Sequence, residues 1–350
     1  MDVVKEFFNR GYLLSPSAVE FLKGRDPTEY LNKKYDKIVL SADDLREIKM
    51  REVKIIKNLT SVPEELTTET FLNFYNSKYE KMKNIFISKM GGNFVSINKI
   101  GKREKVTTIG MVKNIKEREG KKIIELEDIT GSINVIYKGD VELDDVIAVR
   151  GMAAGNVIYA DEVIYPDVPL RPPATGSGRI LLMSGLDLDE APETKIEKLR
   201  DVFNNDYDYC IIVGNVGDVK KLESLLPSKK TFVVPGIKDS NKYPSPPINV
   251  SGAIPLSNPS MIDINGVKIL MVTNFKMDMI RKRYLGKSSL ILDEDFLVMD
   301  EIPDIIVSNG PPNIKNYKSI TIINCGTLLD TMRPVIVDLK TREWNELGEI

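Results

Sequence analysis

Three observations predict a multidomain α+β chain, with a small helical N-terminal domain, a β-barrel and a C-terminal α/β layered domain. The chain has 350 residues, more than one typical domain holds, so two or three are expected. Its hydrophobic pattern changes twice, from helical spacing before residue 50, to short alternating strands between 81 and 166, to strand-then-glycine units after 179. A proline-rich joint at residues 166–178 divides the second pattern from the third.

Composition narrows the chemistry. With 42% hydrophobic residues, 29% charged residues and a formal net charge of -2, the chain is typical of a globular protein. No overall charge excess points to DNA or to a membrane. The opening MDVVKEFFNRGYLL mixes acidic and basic residues around no long apolar core, so neither a signal peptide nor an anchor is expected. No run approaches the roughly 18 apolar residues a membrane span needs, and a cytoplasmic location is expected. Histidine is absent altogether, which excludes the usual zinc sites, Ser-His-Asp triads and imidazole acid–base catalysis. Cys210, inside an apolar run, and Cys325, in INCGT, read as buried, inert thiols.

Residues 1–50 carry helical spacing at Val3, Val4, Phe7 and Phe8. Ser15-Pro16-Ser17-Ala18 opens a second helix that Gly24 closes, because proline suits a helix start and glycine its end. Ser41-Ala42-Asp43-Asp44-Leu45 has the form of a further cap. Residues 51–80 are polar, with Ser61-Val62-Pro63-Glu64-Glu65 and one candidate helix, Thr68–Tyr79, and read as a linker.

Between residues 81 and 166 five strands are expected: Thr107–Ile115, Lys121–Asp128, Ser132–Tyr137, Val146–Gly151 and Val157–Ile164. Turns at Glu119-Gly120, Ile129-Thr130-Gly131 and Lys138-Gly139-Asp140 separate the early ones, and the order suggests an OB-type barrel. Ile124, Leu126, Ile133, Val135, Ile147 and Val149 alternate and would fill its interior. Charge is uneven here. Residues 81–122 hold twelve Lys and Arg against three Glu, whereas residues 123–170 hold two against ten acids. One reading is a basic nucleic-acid face made by Lys99, Lys102, Arg103, Lys105, Lys113, Lys116, Lys121 and Lys122. The other is that strands from both halves interleave and their charges balance. Stacking aromatics are few, only Phe86, Phe94, Tyr137, Tyr159 and Tyr165, which favours balance or a protein-binding surface.

Prolines 166, 169, 172 and 173, followed by Ala174-Thr175-Gly176-Ser177-Gly178, form a stiff spacer with a flexible end. The last domain starts at Arg179 with RILLM and SGLDLD, then a helix near Thr194–Phe203. Cys210–Val213 and Thr231–Val234 are short buried strands ending in GNVGD and PGIKD. Strands at Val267–Val272, Asp304–Val307 and Ser319–Asn324 follow, and their close spacing suggests a second sheet packed on the first. Ligands in such folds bind at the carboxyl ends of the strands, so these loops are the candidate site.

The order SGLDLD, GNVGD, PGIKD, KILMVTN, PDIIVSNGPPNIKNY and INCGTLLDT resembles the calcineurin-like metallophosphoesterases. More narrowly, the barrel segment ELEDITGSINVIY, the joint EVIYPDVPLRPP and the run LSNPSMIDINGVKIL, in that order, resemble the small (B) subunits of replicative DNA polymerases, above all those of the archaeal D-family. That resemblance covers about residues 1–340. It implies a C-terminal calcineurin-like α/β phosphoesterase sandwich over 179–350, behind an OB-fold domain over 81–166 and a linker over 167–178.

In active members of that family two metal ions sit among the loop ends. Here the Asp-x-His pattern is Gly185, Leu186 and Asp187, and the Gly-Asp pair is Gly214-Asn215, with Asp218 beyond it. The Gly-Asn-His-Asp loop is Gly236-Ile237-Lys238-Asp239. The later histidine falls at Thr273 or Asn274, and the final Gly-His-x-His reads Gly310-Pro311-Pro312-Asn313. Two metals need converging carboxylates and imidazoles, and an ammonium at Lys238 would repel them. The expectation is a vestigial site with no catalytic residue, no metal and no cofactor. A weak magnesium site on Asp187, Asp189, Asp218 and Asp239 stays open, as does their use as turn and cap residues. The resemblance implies a non-catalytic accessory or scaffold subunit partnering the catalytic subunit of a replicative polymerase or another replication protein. Its rivals are a metal-dependent 3′-5′ exonuclease or phosphodiesterase, and a stand-alone single-stranded-DNA-binding protein.

Overall fold

A computed structural model describes residues 3–25, 27–31, 35, 37–42, 44–45, 53–63, 66–118 and 120–350. Asp43, Glu64, Glu65 and Glu119, named above in a cap, a linker and a turn, lie outside the described residues.

Helices Val3–Asn9, Pro16–Leu22 and Thr28–Leu31 gather around Phe7, Leu22, Tyr30 and Leu40. The Ser15 hydroxyl accepts the Ala18 N–H, with Pro16 in the first turn behind it, as the sequence spacing predicts. Two short strands, β1 (Leu13–Leu14) and β2 (Val39–Leu40), pair in parallel beside these helices.

Residues 51–80 depart from the expected linker. Strand β3 (Val53–Lys57) leaves the N-terminal region and adds itself antiparallel to the far edge of the C-terminal domain's second sheet. The helix then runs Thr68–Met90, straight through the expected boundary at residue 80. Thr67 caps it by accepting the Thr70 N–H, and Gly91 at φ +77 ends it. Its Tyr79, Met82 and Phe86 pack onto Ile109, Val146 and Ala148 of the barrel's outer wall and onto Val298 of the C-terminal domain.

The barrel is built of β4 (Arg103–Arg118), β5 (Lys121–Asp128), β6 (Gly131–Tyr137), β7 (Val146–Ala154) and β8 (Val157–Ile164). It closes in the order β4-β5-β6-β8-β7, antiparallel throughout except where β6 meets β8. Ile124, Leu126, Ile133, Val135, Ile147 and Val149 fill the interior at their alternate positions. Gly110 and Gly151 admit the close strand crossings: a Cβ at Gly151 would stand 2.2 Å from the Tyr159 carbonyl oxygen.

Two six-stranded sheets form the C-terminal domain. The first, ordered β12-β11-β10-β9-β18-β19, contains β9 (Arg179–Ser184), β10 (Tyr209–Val213), β11 (Lys230–Val234) and β12 (Ile254–Pro255) in parallel, with β18 (Val335–Asp338) antiparallel to β9 and β19 (Trp344–Glu346) antiparallel to β18. The second, ordered β16-β17-β15-β14-β13-β3, adds β13 (Ser260–Ile264), β14 (Val267–Met271), β15 (Ile305–Ser308), β16 (Asn313–Tyr317) and β17 (Ile320–Asn324). Period-two alternation sorts β10: Tyr209, Ile211 and Val213 enter the layer between the sheets, while Cys210 and Ile212 meet the covering helices Glu193–Phe203 and Val219–Leu225. Each large side chain fully buried in that layer contributes about 1.5–3 kcal/mol.

The proline-rich joint is fastened down. Asp167 accepts from Tyr317 (3.0 Å) and Lys318 (2.8 Å), Val168 is buried against Leu270 and Ile306, and Arg171 binds Asp304 at 2.6 Å. Its glycine end is held too, with the Gly176 N–H donating to the Leu339 carbonyl. Among the described residues no helix is long and apolar enough to cross a membrane.

Candidate functional site

The carboxyl ends of β9, β10 and β11 continue as loops whose backbones stay paired beyond the strands. Gly185 N–H donates to Val213, Asp187 to Asn215, Leu188 to Val216 and Gly214 to Val234, all at 2.9–3.0 Å. Such close stacking has steric conditions. A Cβ at Gly236 would fall 2.1 Å from Asn215 Oδ1, and one at Gly217, whose φ is +74, 2.0 Å from Asp189 Oδ1.

Lys238 lies across this stack. Its Nζ stands 2.9 Å from Asp187 Oδ1 and 3.0 Å from Glu190 Oε1. Asp187 is only 2% exposed and sits at φ +42, so its carboxylate is fixed below the lysine. The hydrogen bonds to Asp187, then to Glu190, raise the lysine pKa, and the ammonium form holds.

Asp239 points into the backbone. Its carboxylate accepts from the Val216 N–H (2.9 Å), the Gly217 N–H (3.1 Å) and the Gly236 N–H (2.8 Å), tying the second loop to the third. Asp218 caps the helix Val219–Leu225 by accepting the Lys221 N–H at 3.1 Å. Of the four carboxylates that could have gathered a magnesium ion, one is paired with a cation and two serve backbone groups. Among the described residues no group of three or more Cys, Asp and Glu is arranged to hold a metal.

The second sheet contributes amides. Thr273 is buried, with its hydroxyl accepting from Asn258 Nδ2 at 2.6 Å and its N–H donating to Asn258 Oδ1. Asn274 N–H donates to Asn309 Oδ1 at 2.7 Å, and Asn309 lies where a Cβ at Gly214 would approach within 3.2 Å. Asn313 pairs with Asn324 in the β16–β17 ladder, while Pro312 leans toward Gly326 and Pro311 is exposed. Asn215 Oδ1 accepts the Lys238 N–H at 3.1 Å, and Ile237 is 67% exposed. Amides are neutral, so these loop ends offer hydrogen bonds where two divalent ions would need negative charge. Gly185, Asp187, Asn215, Asp218, Lys238 and Asp239 therefore share one loop stack, and Thr273, Pro311 and Asn313 lie on the facing sheet's ends. Glu190, Asn258, Asn309 and Asn324 belong to the same cluster and were not singled out from sequence. Asn309 and Asn324 close the apolar runs of β15 and β17, and that placement was a usable signal.

The eight basic barrel residues fall into two groups along the chain. Lys99, Lys102, Arg103 and Lys105 lie toward the start of β4, and Lys113, Lys116, Lys121 and Lys122 flank the β4–β5 hairpin. Lys105 and Lys116 are separated by roughly 35 Å of strand path at the usual rise per residue. Lys113 pairs with Glu127 and Lys122 with Asp140, so part of the charge is balanced across strands. Lys105 stands in a cross-strand row with exposed Met152 and Tyr159.

Along most of its length the chain is similar to small subunits of archaeal DNA polymerases. The DNA polymerase II small subunit of Archaeoglobus fulgidus is 24% identical over an alignment 420 positions long, gaps included, covering 87% of this chain and 86% of that one. Its counterpart from Thermoplasma acidophilum is 24% identical over 93% and 86% of the two chains, and that of Pyrococcus furiosus 24% identical over 88% and 66%, so this chain spans about two-thirds of the Pyrococcus relative. No protein-family model matches. Among solved structures, an archaeal phosphodiesterase aligns with 49% of the chain at a TM-score of 0.34 and 16% identity, and the phosphoesterase Yfce of E. coli with 49% at 0.29 and 12%.

Proposed function

We propose that this chain is a non-catalytic accessory subunit of a replicative DNA polymerase. We read residues 81–166 as an OB-fold domain and residues 179–350 as a calcineurin-like phosphoesterase domain whose metal site is lost. The carrying observation is Lys238, whose ammonium bridges Asp187 and Glu190 at the centre of an otherwise intact loop stack. Similarity along most of the chain to DNA polymerase II small subunits supports the partner, a catalytic polymerase subunit. The domains would then act together as a rigid platform for that subunit's C-terminal region, at a cytoplasmic site of replication.

Co-expression with the large polymerase subunit of the same organism tests the partner, with stable co-elution expected and separate elution refuting the assignment. Incubating the purified chain with Mn²⁺ or Mg²⁺ and labelled single strands tests the lost chemistry. No turnover is expected. Metal-dependent cleavage that Asp218→Ala and Asp187→Asn both abolish would instead establish a 3′-5′ exonuclease or phosphodiesterase.

One observation favours a second reading, a barrel surface for single-stranded DNA: the row of Lys105, Met152 and Tyr159 combines charge with a stacking ring. Affinity for an oligonucleotide that falls steeply with salt, and falls again in Lys105→Glu, would support it.

A further inference from the structure

A cavity of about 860 Å³ opens between the barrel and the C-terminal domain; it shares Ile237, Asn258, Thr273 and Asn274 with the loop cluster, and Lys238 is not among its lining residues. Its lining carries both signs of charge: Glu142 and Asp145 of the barrel and Asp278 of the helix Met277–Lys282 converge on one ammonium, Lys282, at 2.6, 2.8 and 3.1 Å, which offsets part of their charge. Lys242, Lys276 and Lys287 also line the cavity and form no ion pair among the described residues. Lys242 and Lys287 are carried on two loops locked together, since the Tyr243 N–H donates to Ser289 Oγ (2.7 Å) and the Ser289 N–H to the Tyr243 carbonyl (2.6 Å). With Lys78 and Lys282 the lining holds five lysines against Glu142, Asp144, Asp145 and Asp278, and the three lysines outside any ion pair are free to meet an anion, since lysine serves phosphate as a mobile point charge.

The walls demand more than an anion. Tyr243, Met279 and Leu285 present apolar surface, and the exposed Leu143 and Ile237 also line the cavity. The floor is polar and already ordered, with Ser245 and Asn258 exchanging backbone hydrogen bonds at 2.7 and 2.9 Å and Asn258 holding Thr273. A volume near 860 Å³ lies within the usual range of about 300–1,000 Å³ for small-ligand sites, and a lone phosphate would leave most of it unfilled. The lining segments are loops, the helix Met277–Lys282 and Lys78 of the long helix, with no strand edge on which a peptide could pair.

We propose that this cavity binds a nucleoside phosphate, its phosphates held by Lys242, Lys276 and Lys287 and its planar body against Tyr243 and Met279. The proposal is independent of the accessory-subunit reading, because it rests on this cavity alone. The test is calorimetric titration of the full chain at low salt with ATP, with dATP, with inorganic phosphate, with a twelve-residue oligothymidylate and with an acidic peptide. One-to-one binding of ATP or dATP is expected, weakened about tenfold or more by the double variant Lys276→Glu/Lys287→Glu, since both exposed charges reverse without touching the core. Lys198→Glu, exposed on the helix Glu193–Phe203, should leave the affinity unchanged. No binding of either nucleotide, or equal affinity in the double variant, would overturn the proposal. So would phosphate binding as tightly as ATP, oligothymidylate binding far more tightly than ATP, or the acidic peptide binding in place of the nucleotides.

Discussion

At the scale of single residues, the loop stack separates carboxylates that serve the backbone from one that pairs with a cation. Asp239 is of the first kind. Replacing it by alanine strands three backbone N–H groups, and at about 1–3 kcal/mol for each fully buried orphan donor, discounted for partial exposure, the loss should be about 2–4 kcal/mol by urea unfolding. Asp239→Asn, which keeps one carbonyl oxygen, should cost less. Lys238→Ala leaves the buried Asp187 without its cation and should lower the melting temperature, and Asp187→Asn in the same chain should recover part of the loss. The two thiols are inert by burial. Burial raises the Cys210 pKa and pushes that of Cys325 up to about 12, so iodoacetamide at pH 8 should modify neither until denaturant is added, as intact mass would show.

At the scale of elements, the joint at residues 166–178 gives a pH-dependent prediction. Burial disfavours the Asp167 carboxylate, but the hydrogen bonds from Lys318, Val168 and Tyr317 outweigh it and lower its pKa below the ordinary aspartate range. A depressed folded pKa gives stability that is present above the unfolded value of about 4 and is lost as pH falls through the folded one. Asp167→Asn should therefore destabilise the chain at pH 7, and the difference from wild type should shrink below about pH 4. Proline spacing alone marks this stretch as a spacer. The carboxylate and guanidinium contacts that fasten it are made to residues more than 100 positions away, so local pattern does not contain them. Strand β3 was hidden for the same reason: VKIIK is short, flanked by polar residues, and pairs about 200 positions downstream. By contrast, β9, β10 and β11 are apolar runs ended by tight turns, and the barrel's alternation sorts its interior residues correctly, because burial on one face imposes period two. The glycines of the site loops were legible as turns. The asparagines were not, since an amide's role depends on which backbone group it meets.

At the scale of the whole molecule, the helix Thr68–Met90 and Lys282 join barrel to sandwich, the first through Tyr79, Met82 and Phe86 and the second through Glu142 and Asp145. Lys282→Met leaves the nearly buried Asp145 unpaired at that joint. Calorimetry should show the single unfolding transition splitting, with the first part lowered on the order of 5 °C. A single unshifted transition would place the coupling in the helix alone. Lys238 also alters what the folded molecule requires from its surroundings. A site that relies on dissolved ions is only as complete as the ion supply, and a chelator can strip it. Here the counter-charge is written into the polypeptide, made with every copy and present at every dilution, so the fold of these loops is expected to be indifferent to EDTA.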